Sequence, residues 1–168
     1  MSIRARNLKR KRWTRGLLVA AAVLVLLFVY IEDWSRDFTS TFAEIGENAP
    51  QTDLRPVVSE RSSEELIEAV RWAAARIRNW EYIGDATEGD TTLMVFVCTN
   101  RVLRIKDDIT VRIDDRGTER VLTAVSQSRL RVGDLGRNPR HLRRLLTELA
   151  DVLRGSSKDP APFRRSVS

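Results

Sequence analysis

The chain has 168 residues, enough for one ordinary domain and an appendage, and a formal net charge of +6. Seven of its cations lie within residues 1–15, which contain no acid, so the rest of the chain has a net charge of −1. A nucleic-acid-binding domain should carry its own basic face, and we therefore expect no nucleic-acid partner. The single cysteine, Cys98, excludes an intrachain disulfide and a multi-cysteine metal site, and its apolar neighbours predict a buried side chain.

Residues 16–31 are a continuous apolar stretch, GLLVAAAVLVLLFVYI, with no charge and no proline. As a helix this stretch rises about 24 Å, slightly less than a hydrocarbon core of about 30 Å. Trp13 and Thr14 extend it, and Arg15 can reach back to the headgroups. Trp13 and Trp34 fit the aromatic belts of the two interfaces. The sequence therefore predicts a transmembrane helix over 16–31, with the lipid bilayer as its partner.

The basic segment 1–15 predicts the orientation of this helix. Cations flanking a span stay on the cytoplasmic side, so the N-terminus is expected in the cytoplasm and the C-terminal domain outside it. We therefore expect a single-pass protein of the cell inner membrane. Arginine greatly outnumbers lysine, as in GC-rich bacteria, and we therefore expect the membrane to be part of a bacterial envelope. The alternative is a cleaved secretory signal. Its small-residue pattern, at Thr41-Phe42-Ala43, lies far beyond the apolar run, which favours an uncleaved anchor.

The region after the anchor begins with a polar segment, 32–53, which predicts a stalk. Residues 54–58 predict a short edge strand, because a proline such as Pro56 is tolerated only at a sheet edge. Ser62 and Glu65 form a capping box that opens a helix. Its apolar residues share one face: Leu66, Ile67, Val70, Ala73, Ala74 and Ile77. Trp72 lies on the polar side, and we expect it to pack under the stalk or the tail; a partner or lipid contact is the alternative.

Strand patterns occupy the middle of the domain. Residues 80–83 predict a strand, and Glu88-Gly89-Asp90 predicts a hairpin turn. Residues 92–105 are apolar at first and polar later. Apolar and polar residues alternate over 108–114, which predicts a half-buried antiparallel strand. Asp115-Arg116-Gly117 then turns the chain into a returning strand that ends near Arg129.

A second helix follows, with Asn138 as its predicted cap and Pro139 as its first residue. Gly155 is expected to end it, and the segment after it to be disordered. Both helices need one apolar surface to cover. We therefore predict a two-layer α+β sandwich over 54–154, with an antiparallel sheet of about four to five strands and both helices on one face. The transmembrane helix precedes this domain and the tail 155–168 follows it.

Three elements of the sequence resemble the DUF1499 family, which is defined by sequence and has no established activity. They are Asp107-Asp108, Ser126-Gln127-Ser128-Arg129 and Gly133-Asp134-Leu135-Gly136-Arg137-Asn138. The likeness covers roughly residues 54–150. The chain lacks the cysteine-containing element that many members carry and has Thr52-Asp53-Leu54-Arg55-Pro56 in its place. The resemblance implies the type of domain and no reaction.

Cations crowd the first turns of the second helix, where the helix dipole already places positive charge. They are Arg137, Arg140, His141, Arg143 and Arg144. The favoured explanation is an internal network, in which an aspartate at 107, 108 or 134 pairs with Arg129 or Arg140. The alternative is an external phosphate, lipid headgroup or carboxylate at the helix N-terminus. The candidate residues for either are Asp107, Asp108, Ser126, Ser128, Arg129, Asp134, Asn138 and Arg140.

Support for an enzyme is thinner. A hydrolase could use Asp107 and Asp108 with Arg129 and Asp134, but adjacent residues of a strand point to opposite faces. A serine nucleophile would need the only histidine, His141, which we place at the border of its helix's apolar stripe. We expect no catalytic residue, metal or cofactor. The leading hypothesis is a non-enzymatic, membrane-tethered domain that binds a protein or a small anionic ligand.

Overall fold

The computed structural model describes residues 41–100, 104–130 and 135–155. The predicted transmembrane helix, the basic N-terminus and the tail from residue 156 lie outside these ranges. The elements in chain order are β1 (Phe42–Ile45), β2 (Val57–Ser59), α1 (Ser63–Arg76), β3 (Trp80–Glu88), β4 (Thr91–Thr99), β5 (Lys106–Asp115), β6 (Arg120–Ser128) and α2 (Arg137–Leu153). Among the described residues, no helix has the length and apolar character needed to cross a membrane.

The strands form one antiparallel sheet in the order β1-β6-β5-β4-β3, and β2 also pairs with β6. The short strands β1 and β2 therefore share one edge of β6. The two predicted turns are confirmed: Gly89 joins β3 to β4, and Gly117 lies between β5 and β6. Both glycines have positive φ (57° and 85°), a conformation that costs glycine least.

The two helices cover one face of the sheet, as predicted. Alternate strand residues on that face are buried, and α1 and α2 pack against them and each other. Fully buried side chains include Phe96, Ile109, Leu122, Leu66, Val70, Leu142, Leu145 and Leu149. The opposite face has no covering helix among the described residues and exposes Phe42, Val58, Leu93 and Val125. The architecture is therefore a two-layer α+β sandwich, with one more strand than the upper end of the prediction.

Part of the predicted stalk, 32–53, belongs to the domain. β1 pairs with β6, and Ala43 and Ile45 are buried in the core. Ala49 and Leu54 are buried as well. A four-residue strand shows only two inward positions, too few for an alternating pattern to stand out from the surrounding polar residues.

The prediction that Asn138 caps the second helix is wrong. The capping residue is Gly136 in a left-handed conformation (φ 72°), and the helix begins at Arg137. Asn138 lies inside the helix, fully buried, where Ser126 Oγ donates to its Oδ1 at 2.7 Å. Its Nδ2 donates to the Thr41 carbonyl at 2.8 Å. An Asn-Pro pair is typical of a helix cap, but here the side-chain amide of Asn138 is hydrogen-bonded to Ser126 and Thr41, which are distant in sequence. The capping box of Ser62 and Glu65 is confirmed, as is Gly155 at the end of α2.

Candidate functional site

Asp107 is the centre of a buried polar cluster near the start of β5. Its pairing partners are Cys98 on β4 and Ser128 on β6. It lies on the helix-covered face and is only 1% exposed. Asp108 follows it in a regular strand and so points to the opposite face. The two neighbouring carboxylates are therefore separated by the sheet.

Residues from the first turns of α2 neutralise Asp107. His141 Nε2 lies 3.1 Å from Oδ2, and Arg137 Nη2 donates to Oδ1 at 3.4 Å. Arg137 Nη2 also donates to Ser128 Oγ at 3.2 Å. Burial alone would raise the pKa of Asp107, but hydrogen bonds with His141 and Ser128 and the charge of Arg137 hold that pKa below its usual range. The carboxylate is thus ionised and shared by two cations one helical turn apart.

His141 is held as an imidazolium. Burial alone would lower its pKa, but hydrogen bonds with Asp107 and Cys98 outweigh that effect and raise the pKa to about 9. The Trp80 ring meets the imidazole edge-on, with centroids 6.2 Å apart. His141 is therefore a fixed positive charge at neutral pH.

The cluster opens into a cleft of about 380 Å³ between the end of α1, the end of β4 and α2. Its lining residues are Ile77, Arg78, Asn79, Trp80, Cys98, Thr99, Asn100, Asp107, Arg137, His141 and Arg144. Arg137, His141 and Arg144 follow the i, i+4, i+7 spacing of one helix face. Arg78 approaches from the turn after α1. Within the described ranges, neither Arg78 nor Arg144 has an acidic partner.

Asn79 Oδ1 and Trp80 Nε1 are buried in the cleft lining and have no hydrogen-bond partner within the described ranges. Burying a polar group without a partner costs free energy, so such atoms are uncommon in a finished core. Asn79 in addition has a positive φ of 69°. The α1–β3 turn therefore places one acceptor, Asn79 Oδ1, and one donor, Trp80 Nε1, beside the cations of the cleft, where a ligand would hydrogen-bond to them.

The structure places the predicted site residues in three separate groups. Asp107 and Ser128 belong to the cleft cluster. Ser126 and Asn138 form the buried pair beside it.

The third group lies on the other face of the sheet, where Arg129 forms a two-pronged ion pair with Asp108 (2.7 Å at the shortest). Arg140 donates to the Leu135 carbonyl, and Asp134 lies outside the described residues. The predicted pairing of Asp108 with Arg129 is therefore present, whereas Asp107 pairs with Arg137 and His141 instead of Arg129 or Arg140.

Three of the four cationic residues of the cleft were noted in the sequence as cations of the second helix, whereas Arg78 and the cleft itself were not predicted. The spacing of Arg137, His141 and Arg144 signals a shared helix face, but not the strand that face meets. Arg78 carries no sequence signal beyond its place after a helix. In the described ranges no group of three or more His, Cys, Asp or Glu side chains is close enough to hold a metal ion.

Comparison with known proteins agrees with the resemblance in the sequence. A family model described as "Protein of unknown function (DUF1499)" matches residues 33–149. That range begins before β1 and ends within α2, so it includes every strand and the cleft. No curated protein matches the chain significantly. Because the match covers more than half of its length, the chain belongs to the DUF1499 family.

Proposed function

We propose that this protein is a membrane-tethered domain that binds a small anionic ligand in the cleft between α1, β4 and α2. One observation carries the proposal. Arg78, Arg137, Arg144 and protonated His141 line a cleft in which the described residues include one carboxylate, Asp107. A cleft with such an excess of one sign attracts ligands of the other sign.

The internal pairs leave part of this charge available. Asp107 fixes the positions of Arg137 and His141, and it keeps His141 protonated. Arg78 and Arg144 have no acidic partner among the described residues. A guanidinium presents several N–H groups in a fixed plane, which suits carboxylate and phosphate oxygens.

The remaining lining limits the size and character of the ligand. A volume of about 380 Å³ is at the lower end of the range for small-molecule sites. Ile77, Trp80 and Cys98 supply an apolar wall, and Asn79, Thr99 and Asn100 supply polar groups. The site therefore suits a small carboxylate or phosphate compound with a compact apolar part.

The affinity test uses the full chain in uncharged detergent micelles, with inorganic phosphate and a small dicarboxylate as probes in calorimetric titrations. Arg78→Ala and Arg144→Ala should each weaken binding by at least about tenfold, since a hydrogen bond to a charged group contributes about 1.5–3 kcal/mol. Arg116→Ala is the matched control, because Arg116 lies in the turn at the far end of β5. Equal affinities for all three variants and the wild type would refute the cleft as the site.

The tether is the second part of the proposal, and it rests on residues 16–31 and the basic segment 1–15. Together they favour a single-pass inner-membrane protein with a cytoplasmic N-terminus and an extracytoplasmic domain. A periplasm-specific reporter fused after Arg154 should be active. Activity only from a cytoplasm-specific reporter at the same position would contradict this orientation.

A further inference from the structure

A second groove lies between α1 and the end of α2. Its volume is about 390 Å³, and its lining residues are Arg61, Glu64, Glu65, Glu68, Ala69, Trp72, Val152 and Leu153. Trp72, Val152 and Leu153 are partly buried and form an apolar floor together with Ala69. The three glutamates are exposed and form an acidic rim. Arg61, which donates to the Leu153 carbonyl at 2.8 Å, is the one cation of this lining, so the groove is apolar inside and has an excess of negative charge at its rim.

We propose that the C-terminal tail of this chain, residues 156–168, docks in this groove. The tail sequence is SSKDPAPFRRSVS. In the docked state the Phe163 ring lies on Trp72, and Arg164 and Arg165 face the glutamate rim. This contact goes beyond ligand binding in the cleft and does not depend on it.

The described part of the chain ends beside the groove. Leu153, the last residue of α2, is itself part of the groove wall. The helix closes with Gly155 in a left-handed conformation (φ 76°), its N–H donating to the Val152 carbonyl at 3.0 Å. The tail therefore starts beside the groove, which gives it a high effective concentration there.

The tail is long enough to reach every part of the groove. Phe163 follows Gly155 by eight residues, which span at most about 29 Å when extended. The α1 stretch from Arg61 to Trp72 is only about 16 Å long if it is taken as helical throughout. The tail is therefore long enough to place its single aromatic residue anywhere along the groove.

The tail and the rim of the groove carry opposite charge. The tail carries Lys158, Arg164 and Arg165 against one acid, Asp159. On the rim, Glu64 has no partner among the described residues, while Glu68 pairs with Arg71 at 2.6 Å. Prolines 160 and 162 stiffen the tail, which reduces the entropy lost on docking. An acidic rim disfavours anionic lipid as the occupant.

The test is an NMR measurement on the full chain in uncharged detergent micelles, reading the indole N–H resonances of Trp72 and Trp80. Phe163→Ala and the pair Arg164→Glu with Arg165→Glu should each shift the Trp72 resonance and leave that of Trp80 in place. Phe42→Ala is the control, since it removes an exposed aromatic ring on the opposite sheet face. High salt should shift Trp72 in the same direction as the tail variants, because it screens the rim charges.

A Trp72 resonance that ignores every tail substitution would overturn the proposal. So would a resonance that depends on protein concentration, which would mean that a second copy fills the groove. A Trp72 resonance that responds to added anionic lipid and not to the tail substitutions would assign the groove to a membrane surface. That result would also overturn the proposal that the tail docks there.

Discussion

Asp107 and Asp108 show how adjacent residues of one strand acquire different roles. Asp107 is buried and bonded to two cations, whereas Asp108 pairs with Arg129 on the open face, where both side chains are about half exposed. Removing one partner of a buried ion pair leaves the other charge uncompensated, whereas an exposed pair contributes little. The same substitution at the two positions therefore separates a structural centre from a surface contact.

Asp107→Asn should lower the free energy of unfolding by about 3–5 kcal/mol, while Asp108→Asn should lower it by less than about 1 kcal/mol. Denaturant unfolding of the full chain in micelles measures both. The His141 pKa should also fall well below its wild-type value of about 9 in Asp107→Asn, whereas in Asp108→Asn it should remain at about 9. Because the chain has one histidine, its NMR titration is read without overlap. Equal effects of the two substitutions would contradict the assignment.

His141 also makes stability depend on pH. Its folded pKa of about 9 lies above its unfolded value of 6.5, so the folded state binds the proton more tightly. This stabilisation is fully present below pH 6.5 and is lost as the pH rises through about 9. The melting temperature should fall over that window. His141→Gln should flatten the fall, and an unchanged slope in this variant would assign the pH dependence to another group.

At the scale of the elements, the start of α2 is joined to two strands. Asn138 accepts from Ser126 on β6 and donates to Thr41, just before β1. The helix therefore fixes the position of an edge strand that shares only four register pairs with β6. This junction lies next to the Asp107 cluster. It therefore holds the helix face that carries Arg137, His141 and Arg144 in place against β5.

Asn138→Ala should lower the free energy of unfolding by about 2–4 kcal/mol, because it leaves a buried hydroxyl and a carbonyl without their partner. Ser62→Ala, which removes an ordinary helix cap, should cost only about 1 kcal/mol. Denaturant unfolding of both variants provides the comparison. A loss at Asn138 no larger than at Ser62 would mean that the amide acts as a simple cap.

The elements themselves were predictable because their signals are local. The capping box at Ser62, the alternation along β5 and the leucine stripe of α2 each lie within a few turns of chain, and the structure confirms them. β1 was not predictable, since four residues are too few to show a period. The role of Asn138 was missed because Ser126 and Thr41 compete with capping, and that competition is visible only in three dimensions.

At the scale of the whole molecule, the site depends on the order of the strands. Asp107 meets Arg137 and His141 because β5 lies inside the sheet, between β6 and β4, under the start of α2. The sequence supplies both the carboxylate and the cations, but the contacts join residues about thirty positions apart. Non-local pairing of this kind is set by topology, so the sequence could propose the pair of Asp108 with Arg129 but not the contacts of Asp107 with Arg137 and His141.

The same topology gives the two faces of the sheet different surroundings. The cleft lies beneath the helices, while the uncovered face presents Phe42, Val58, Leu93 and Val125 between scattered charges. Four cationic groups, those of Arg78, Arg137, His141 and Arg144, line the cleft, and its described lining includes one carboxylate, Asp107. The cleft is therefore where we propose that an anion binds.

The most direct test is a phosphate titration of the full chain, followed through the NMR resonances of its single histidine, His141. We expect these resonances to shift and saturate with phosphate, and we expect Arg144→Glu to abolish the shift while Arg116→Glu preserves it. Imidazole resonances that stay fixed throughout the titration, or that respond equally in both variants, would contradict an anion site in the cleft.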